Sequence, residues 1–224
     1  MTAVALKIAA GLGLSLALGP AQAQAGTGSL LGWSVAGDVV SQAGALWLST
    51  AFVDGVNDEA GNLSGSSAVA VDVLAAAAGL PATALDLSVS DYATEGSLAT
   101  QVLTVSAGQV LQLSWSLSSL DTSLADHAFL VIGSQVITLA TALQAPTGPQ
   151  RLAYSFAQGG SFLLGVGVAD SVDVLGVSTL RISDLSISAV PEPGSFGLMG
   201  LGLIGLAGLG RWVQRSRLAA HNTW

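Results

Sequence analysis

Residues 98–117 read LATQVLTVSAGQVLQLSWSL, two apolar alternations joined at a glycine. In the second half Leu111, Leu113, Trp115 and Leu117 alternate with Gln112, Ser114 and Ser116; in the first, Leu103 and Val105 flank Thr104. Successive side chains of a strand point to opposite faces, so this period of two belongs to strands with one buried face. Gly108 stands between the runs, where a tight turn favours a residue tolerant of positive φ. The stretch therefore predicts a β-hairpin.

The same grammar extends in both directions. Further strands are expected at Trp33–Val40, Ala45–Val53, His127–Ile132, Gln135–Thr141, Arg151–Ala157, Ser161–Val168 and Ser178–Ala189, beside Leu98–Ser106 and Val110–Ser118. Gly133-Ser134 and Gly159-Gly160 mark two more hairpin turns. About nine short strands at this spacing predict a mainly β protein, an antiparallel, jelly-roll-like β-sandwich. One segment departs from the pattern: Ser66-Ser67 precedes the Ala-rich run Ala68–Ala78, and Gly79-Leu80-Pro81 follows. A serine cap, an alanine body and a Gly/Pro stop predict one inserted helix.

The apolar ends raise the mean hydropathy of the chain, whereas the middle is rich in Ser, Thr, Gly, Ala and Val. Residues 1–23 carry Lys7, the apolar run Ile8–Leu18, Gly19-Pro20 and Ala21-Gln22-Ala23. A positive charge, a short apolar helix and small residues at the scissile positions make a secretory signal peptide, read by the Sec export machinery and signal peptidase. Eleven apolar residues fall short of the roughly 17–25 needed for a span. Residues 24–190 form the exported domain, one domain in size. It holds two arginines against 13 carboxylates, a formal balance of −11. Phosphate backbones call for clustered Lys and Arg, so nucleic-acid binding is excluded. With no cysteine, disulfides, thiol nucleophiles and Cys-ligated metals are excluded too.

Residues 191–224 are a separate signal. Pro191-Glu192-Pro193 precedes Gly194–Gly210, 17 residues without a charge, and then Arg211, Arg215 and Arg217 within residues 211–217. At about 1.5 Å per residue the apolar run spans roughly 25 Å, and with Trp212 and Val213 it predicts a transmembrane helix over 194–213. The basic cluster marks the cytoplasmic side, placing the domain outside.

The order triplet, short Gly/Leu helix, arginine cluster resembles the PEP-CTERM sorting domain. That resemblance implies recognition by an exosortase at Pro191, Glu192 and Pro193, removal of the helix, and transfer to the cell surface from a membrane-anchored intermediate. It also implies association with exopolysaccharide or biofilm matrix without enzymatic activity. The chain departs from the pattern in residues 218–224, LAAHNTW, which extend past the basic end. Glu95-Gly96-Ser97, Leu111–Trp115, Asp126–Val131, Gly165–Asp170 and Leu180–Asp184 are also similar to an exported β-sandwich domain found ahead of such tails. That likeness implies a fold rather than an activity.

Other classes leave weaker marks. Asp54, Asn57, Asp58 and Glu59 offer hard oxygen ligands in one loop, as calcium requires, though without EF-hand spacing; a polar turn would read the same. A carbohydrate-binding module would gather aromatic side chains on one sheet face, and the domain has only Trp33, Trp47 and Trp115. A secreted hydrolase would depend on His127, the domain's single histidine, on Ser34 in Gly32–Ala36, or on an acid pair. The pairs Asp91/Glu95, Asp121/Asp126 and Asp170/Asp173 are all expected in solvated loops.

Overall fold

The computed structural model describes residues 32–53 and 59–189. The signal peptide expected at residues 1–23, the sorting triplet, the tail arginines, the helix expected at 194–213, and Asp54, Asn57 and Asp58 lie outside the described residues, as does the side chain of Glu59. No helix among the described residues is long and apolar enough to cross a membrane.

Among the described residues eleven strands form two antiparallel sheets: β1 (Ser34–Ala36), β2 (Asp38–Gln42), β3 (Ala45–Ser49), β4 (Val69–Ala70), β5 (Ala93–Val105), β6 (Gln109–Ser119), β7 (His127–Ile132), β8 (Gln135–Thr141), β9 (Gln150–Ser155), β10 (Gly160–Ser171) and β11 (Ser178–Ala189). The first sheet runs β1-β5-β10-β7-β8, with β4 also on β5; the second runs β2-β3-β11-β6-β9. The chain repeatedly crosses from one sheet to the other, a connectivity of the jelly-roll kind. Between the sheets lie Leu46, Leu48, Leu111, Leu113, Trp115 and Leu117 from the second, against Ala99, Val105, Leu130, Val166 and Val168 from the first.

The alternation therefore reports burial correctly at Leu103–Val105 and Leu111–Leu117, fails at Leu98–Val102, where three successive residues are buried and Val102 is exposed, and reports pairing wrongly. β5 and β6 belong to opposite sheets, so the turn at Gly108 is an arch over the core rather than a hairpin. Gly159-Gly160 likewise carries the chain from β9 to β10 across sheets, so of the three expected turns only Gly133-Ser134 closes a true hairpin, β7 with β8. A half-buried strand needs an apolar layer above it, and that layer can be the strand that follows. Gly108 is tied down as an arch residue: its N–H donates to the Phe156 carbonyl at 2.8 Å.

The expected strand Trp33–Val40 also divides. Gly37 has φ +89°, and a Cβ there would lie 2.7 Å from the Gly96 carbonyl oxygen. Only glycine fits so close a backbone approach in that conformation. The chain leaves the first sheet there as β1 and joins the second as β2.

The inserted helix is shorter than its sequence signals, α1 at Val71–Ala77. No side chain caps its N-terminus, because Val69–Ala70 pair instead with Gly96 and Glu95 on β5. Ser67 accepts the Val53 N–H at 2.9 Å, away from the helix. The C-terminus follows expectation: Leu80 N–H reaches Ala75 O at 2.8 Å and Gly79 N–H reaches Ala76 O at 3.1 Å, with Gly79 at φ +68°.

This helix and the 3-10 turn Ala82–Leu85 cover the outer face of the first sheet, packing Leu74, Ala75, Ala78 and Leu85 on Leu98, Phe129 and Val131. The first sheet is thus buried on both faces around Phe129. Nothing among the described residues covers the second sheet in this way.

Candidate functional site

The open outer face of the second sheet is built by side chains that alternate with the core. Gln112, Ser114 and Ser116 on β6 point away from Leu111, Leu113 and Trp115. Arg181 on β11 sits in register with Trp47 on one side and Ser116 on the other, and Ser114 with Arg151. The pairing of β11 with β6 shifts between Ser183 and Ser186, where Asp184 takes φ +54°. A bulge re-aims the residue it carries, and here it turns Asp184 onto the face. An open groove of about 480 Å³ results, lined among others by Gln112, Ser114, Arg151, Asp184 and Ser186. Beside it the Arg181 guanidinium stacks 5.5 Å from the Trp47 ring and donates to Ser183 Oγ at 3.2 Å. Arg151 and Arg181, the only basic residues between 32 and 189, thus share this face. Trp115 is buried in the core and Trp33 packs against it, leaving one tryptophan on the face instead of a row.

A second assembly closes one end of the sandwich. Asp126 accepts the Ser171 N–H at 3.1 Å and the Ser178 hydroxyl at 2.8 Å. Asp170 sits at the bulge between Ala169 and Ser171, against Asp126, Glu95 and the Thr50 hydroxyl. Thr94, next to Glu95, donates its hydroxyl to the carbonyls of Asp170 and Asp173 at 3.2 and 2.6 Å. Glu95, Asp121, Asp126 and Asp170 are all buried, so the expectation of solvated loop acids fails for these four. Glu95 lies within β5 and Asp170 within β10. Burial pushes Glu95 up to about 7. Burial, then the neighbouring Asp126, pushes Asp170 up to about 10, and burial raises Asp126 as well. The signal missed in the sequence is an acid at the edge of an apolar run, as in Asp126-His-Ala-Phe-Leu-Val131 and Gly165-Val-Gly-Val-Ala-Asp170.

The remaining acids are used locally. Asp91 binds the hydroxyls of Ser88 and Ser90, Asp121 accepts from Ser123 and Leu124 N–H, and Asp173 accepts from Leu175 N–H. His127 is 1% exposed, 3.3 Å from the Ser171 hydroxyl, and burial lowers its pKa to about 4. Ser34 is exposed on β1, in a strand and not at a strand-to-helix elbow. At the expected calcium loop, Asn62 closes a turn, accepting from Gly65 N–H at 2.7 Å and donating to Ser66 O at 2.5 Å.

Comparison with known proteins places the tail in a defined class. Residues 189–211 match the family model of the PEP-CTERM protein-sorting motif. The chain therefore carries a PEP-CTERM sorting motif, which implies export, recognition by an exosortase and sorting to the cell surface. No curated protein matches it. A solved structure described as "CBM4 structure and function" is similar over 71% of this chain and 95% of its own, at 12% identity and a TM-score of 0.34. A likeness that distant carries no argument about ligand.

Proposed function

We propose that the protein acts at the cell surface as a non-enzymatic matrix component, holding exopolysaccharide against the outer face of its second sheet. The observation that carries this reading is the groove beside Trp47. Gln112, Ser114, Arg151, Asp184 and Ser186 present amide, hydroxyl, guanidinium and carboxylate groups together. Such a mixture of donors and acceptors suits a hydroxyl-rich chain, and Trp47 offers an apolar surface for a sugar ring. The domain's charge of −11 opposes polyanions, so the polysaccharide is neutral or weakly charged. What supports a non-enzymatic role is the enclosure of His127, Asp126 and Asp170, each at most 1% exposed. A base that substrate cannot reach does not catalyse.

The test is sedimentation of the exported protein with insoluble exopolysaccharide from its own host. Wild type should co-sediment, and Trp47→Ala combined with Arg151→Ala should weaken binding at least tenfold without changing the melting temperature by more than a few degrees. Failure of the wild type to sediment, or equal binding by the variant, overturns the reading.

A further inference from the structure

We propose that the end of the sandwich from which the sorting tail leaves is a docking surface for the exosortase, so that the enzyme recognises the folded domain together with the triplet. Strand β11 stays paired with β6 to its last residue: Ile187, Ser188 and Ala189 stand opposite Leu111, Val110 and Gln109. Beyond Ala189 only Val190, Pro191, Glu192 and Pro193 precede the uncharged run that starts at Gly194. An extended chain advances at most about 3.6 Å per residue, which holds the Glu192 Cα within roughly 11 Å of the Ala189 Cα. A folded domain of only 100 residues already has a radius of gyration of about 13 Å. An enzyme that closes around Glu192 therefore meets whatever surrounds Ala189.

Strand register sets what surrounds it. Val110 also pairs with Ser155 of β9, and Gly160 of β10 pairs with Val105 of β5, so the β5–β6 and β9–β10 turns lie at this same end. The Phe156 N–H donates to the Gln109 carbonyl at 2.8 Å and ties the two turns together. The β7–β8 hairpin joins them, its Gly133 N–H donating to the Leu163 carbonyl at 2.8 Å.

The chemistry of this end is a second, independent observation. Residues 106–109, 133–135 and 156–161, which make the three turns, carry no charged side chain in a domain with a balance of −11. Glu95, Asp121, Asp126, Asp170 and Asp173 all lie at the opposite ends of the same strands or in the connections there. Beside the turns Tyr154 meets Phe156, and Phe156 meets Phe162, each at a ring-centroid distance of 5.2 Å. With Ala157 and Gln158 they line an open recess of about 200 Å³. Depletion of charge and enrichment in aromatic side chains mark the centre of a protein–protein interface. A recess of this kind admits an apolar side chain of the partner. This surface is separate from the groove beside Trp47, which lies along the outer face of the second sheet.

The experiment follows processing of the full chain by blot in a host that carries the exosortase. Ala107→Glu combined with Gln158→Glu, both at exposed positions, should slow processing about tenfold. A Gly/Ser spacer of about 12 residues between Ala189 and Val190, spanning roughly 20 Å on average, should slow the wild type comparably and erase its difference from the double variant. Should the double variant lower the melting temperature of the domain, Ser134→Glu, also exposed, takes its place. Unchanged processing of the charge variants overturns the proposal, as does faster processing with the spacer, which makes the end an obstacle. Flotation of the processed protein with phosphatidylethanolamine–phosphatidylglycerol vesicles, or self-association in sedimentation, lost in the same variant, gives the end to lipid or to a second copy and overturns it too. Docking presupposes recognition of the triplet. If Glu192→Ala is processed like the wild type, both readings fall; if Glu192→Ala is blocked and the charge variants are processed normally, only the docking surface falls.

Discussion

Asp38 is the side chain whose replacement tests the packing argument most sharply. It opens β2, is wholly buried, and ties the segment around Leu63 to the sandwich. Its Oδ2 accepts from Ser49 Oγ and from Leu63 N–H at 2.8 Å; its Oδ1 accepts from Ser64 N–H at 2.7 Å and Ser64 Oγ at 2.6 Å. Four donors on two oxygens leave no room for an amide. In Asp38→Asn the new NH2 group faces either the Ser49 hydroxyl and Leu63 N–H, or the hydroxyl and N–H of Ser64. A hydroxyl can turn and accept; a backbone N–H cannot. Either orientation therefore sets the part-buried N–H of Leu63 or Ser64 against the new NH2 group, at about 1–3 kcal/mol, and removes charge assistance from the other bonds. The expected loss is about 3 kcal/mol, or a fall in melting temperature of roughly 6–12 °C for a domain of this size. Urea unfolding should show a lower midpoint with an unchanged slope, since the exposed area is the same. Limited proteolysis should cut more readily near residues 59–66. A loss below about 1 kcal/mol, with unaltered proteolysis, would refute the view that this carboxylate fastens the segment.

Two further outcomes are expected. Stability should decline as pH rises from 7 to 9. Glu95, Asp126 and Asp170 have raised values when folded, so the folded state binds more protons than an unfolded chain titrating near ~4. Their contribution is complete below the unfolded value of ~4 and is lost as pH climbs through about 7 and toward 10. His127, lowered to about 4, acts in the opposite sense: its contribution is present above the unfolded value of ~6.5 and lost as pH falls through 4. Above pH 7 the carboxyls stand alone, Asp170→Asn should flatten the slope, and a urea midpoint that rises toward pH 9 would contradict the assignment. At the tail, Glu192→Ala should leave membrane insertion intact but block processing, so that full-length protein accumulates in the membrane of a host carrying the exosortase. Equal processing of wild type and variant on a blot of membrane and surface fractions would reduce the tail to a plain anchor.

Much was legible in the chain because it is written locally. The sorting signal needs only Pro191-Glu192-Pro193, an uncharged run and arginines in order, and any enzyme that reads it reads a short segment. The alternation of Leu111, Leu113, Trp115 and Leu117 determined that β6 has one wet and one dry face, because side-chain direction follows from backbone geometry alone. Gly79 ended α1 for an equally local reason, the left-handed conformation that its missing Cβ permits. Pairing is different. Nothing in residues 98–117 tells whether β6 lies beside β5 or above it, since either arrangement buries the same side chains. Tertiary structure chose the arch at Gly108, broke the first expected strand at Gly37, and used Val69–Ala70 as a strand where the sequence promised a helical turn. It alone also brought Glu95, Asp126 and Asp170 together, three acids on different strands or strand ends that a linear reading leaves in solvent. The physical reason is common to all these cases. Local pattern sets which way a side chain points, whereas what it meets there depends on segments distant in the chain, brought near only when the two sheets close over one core.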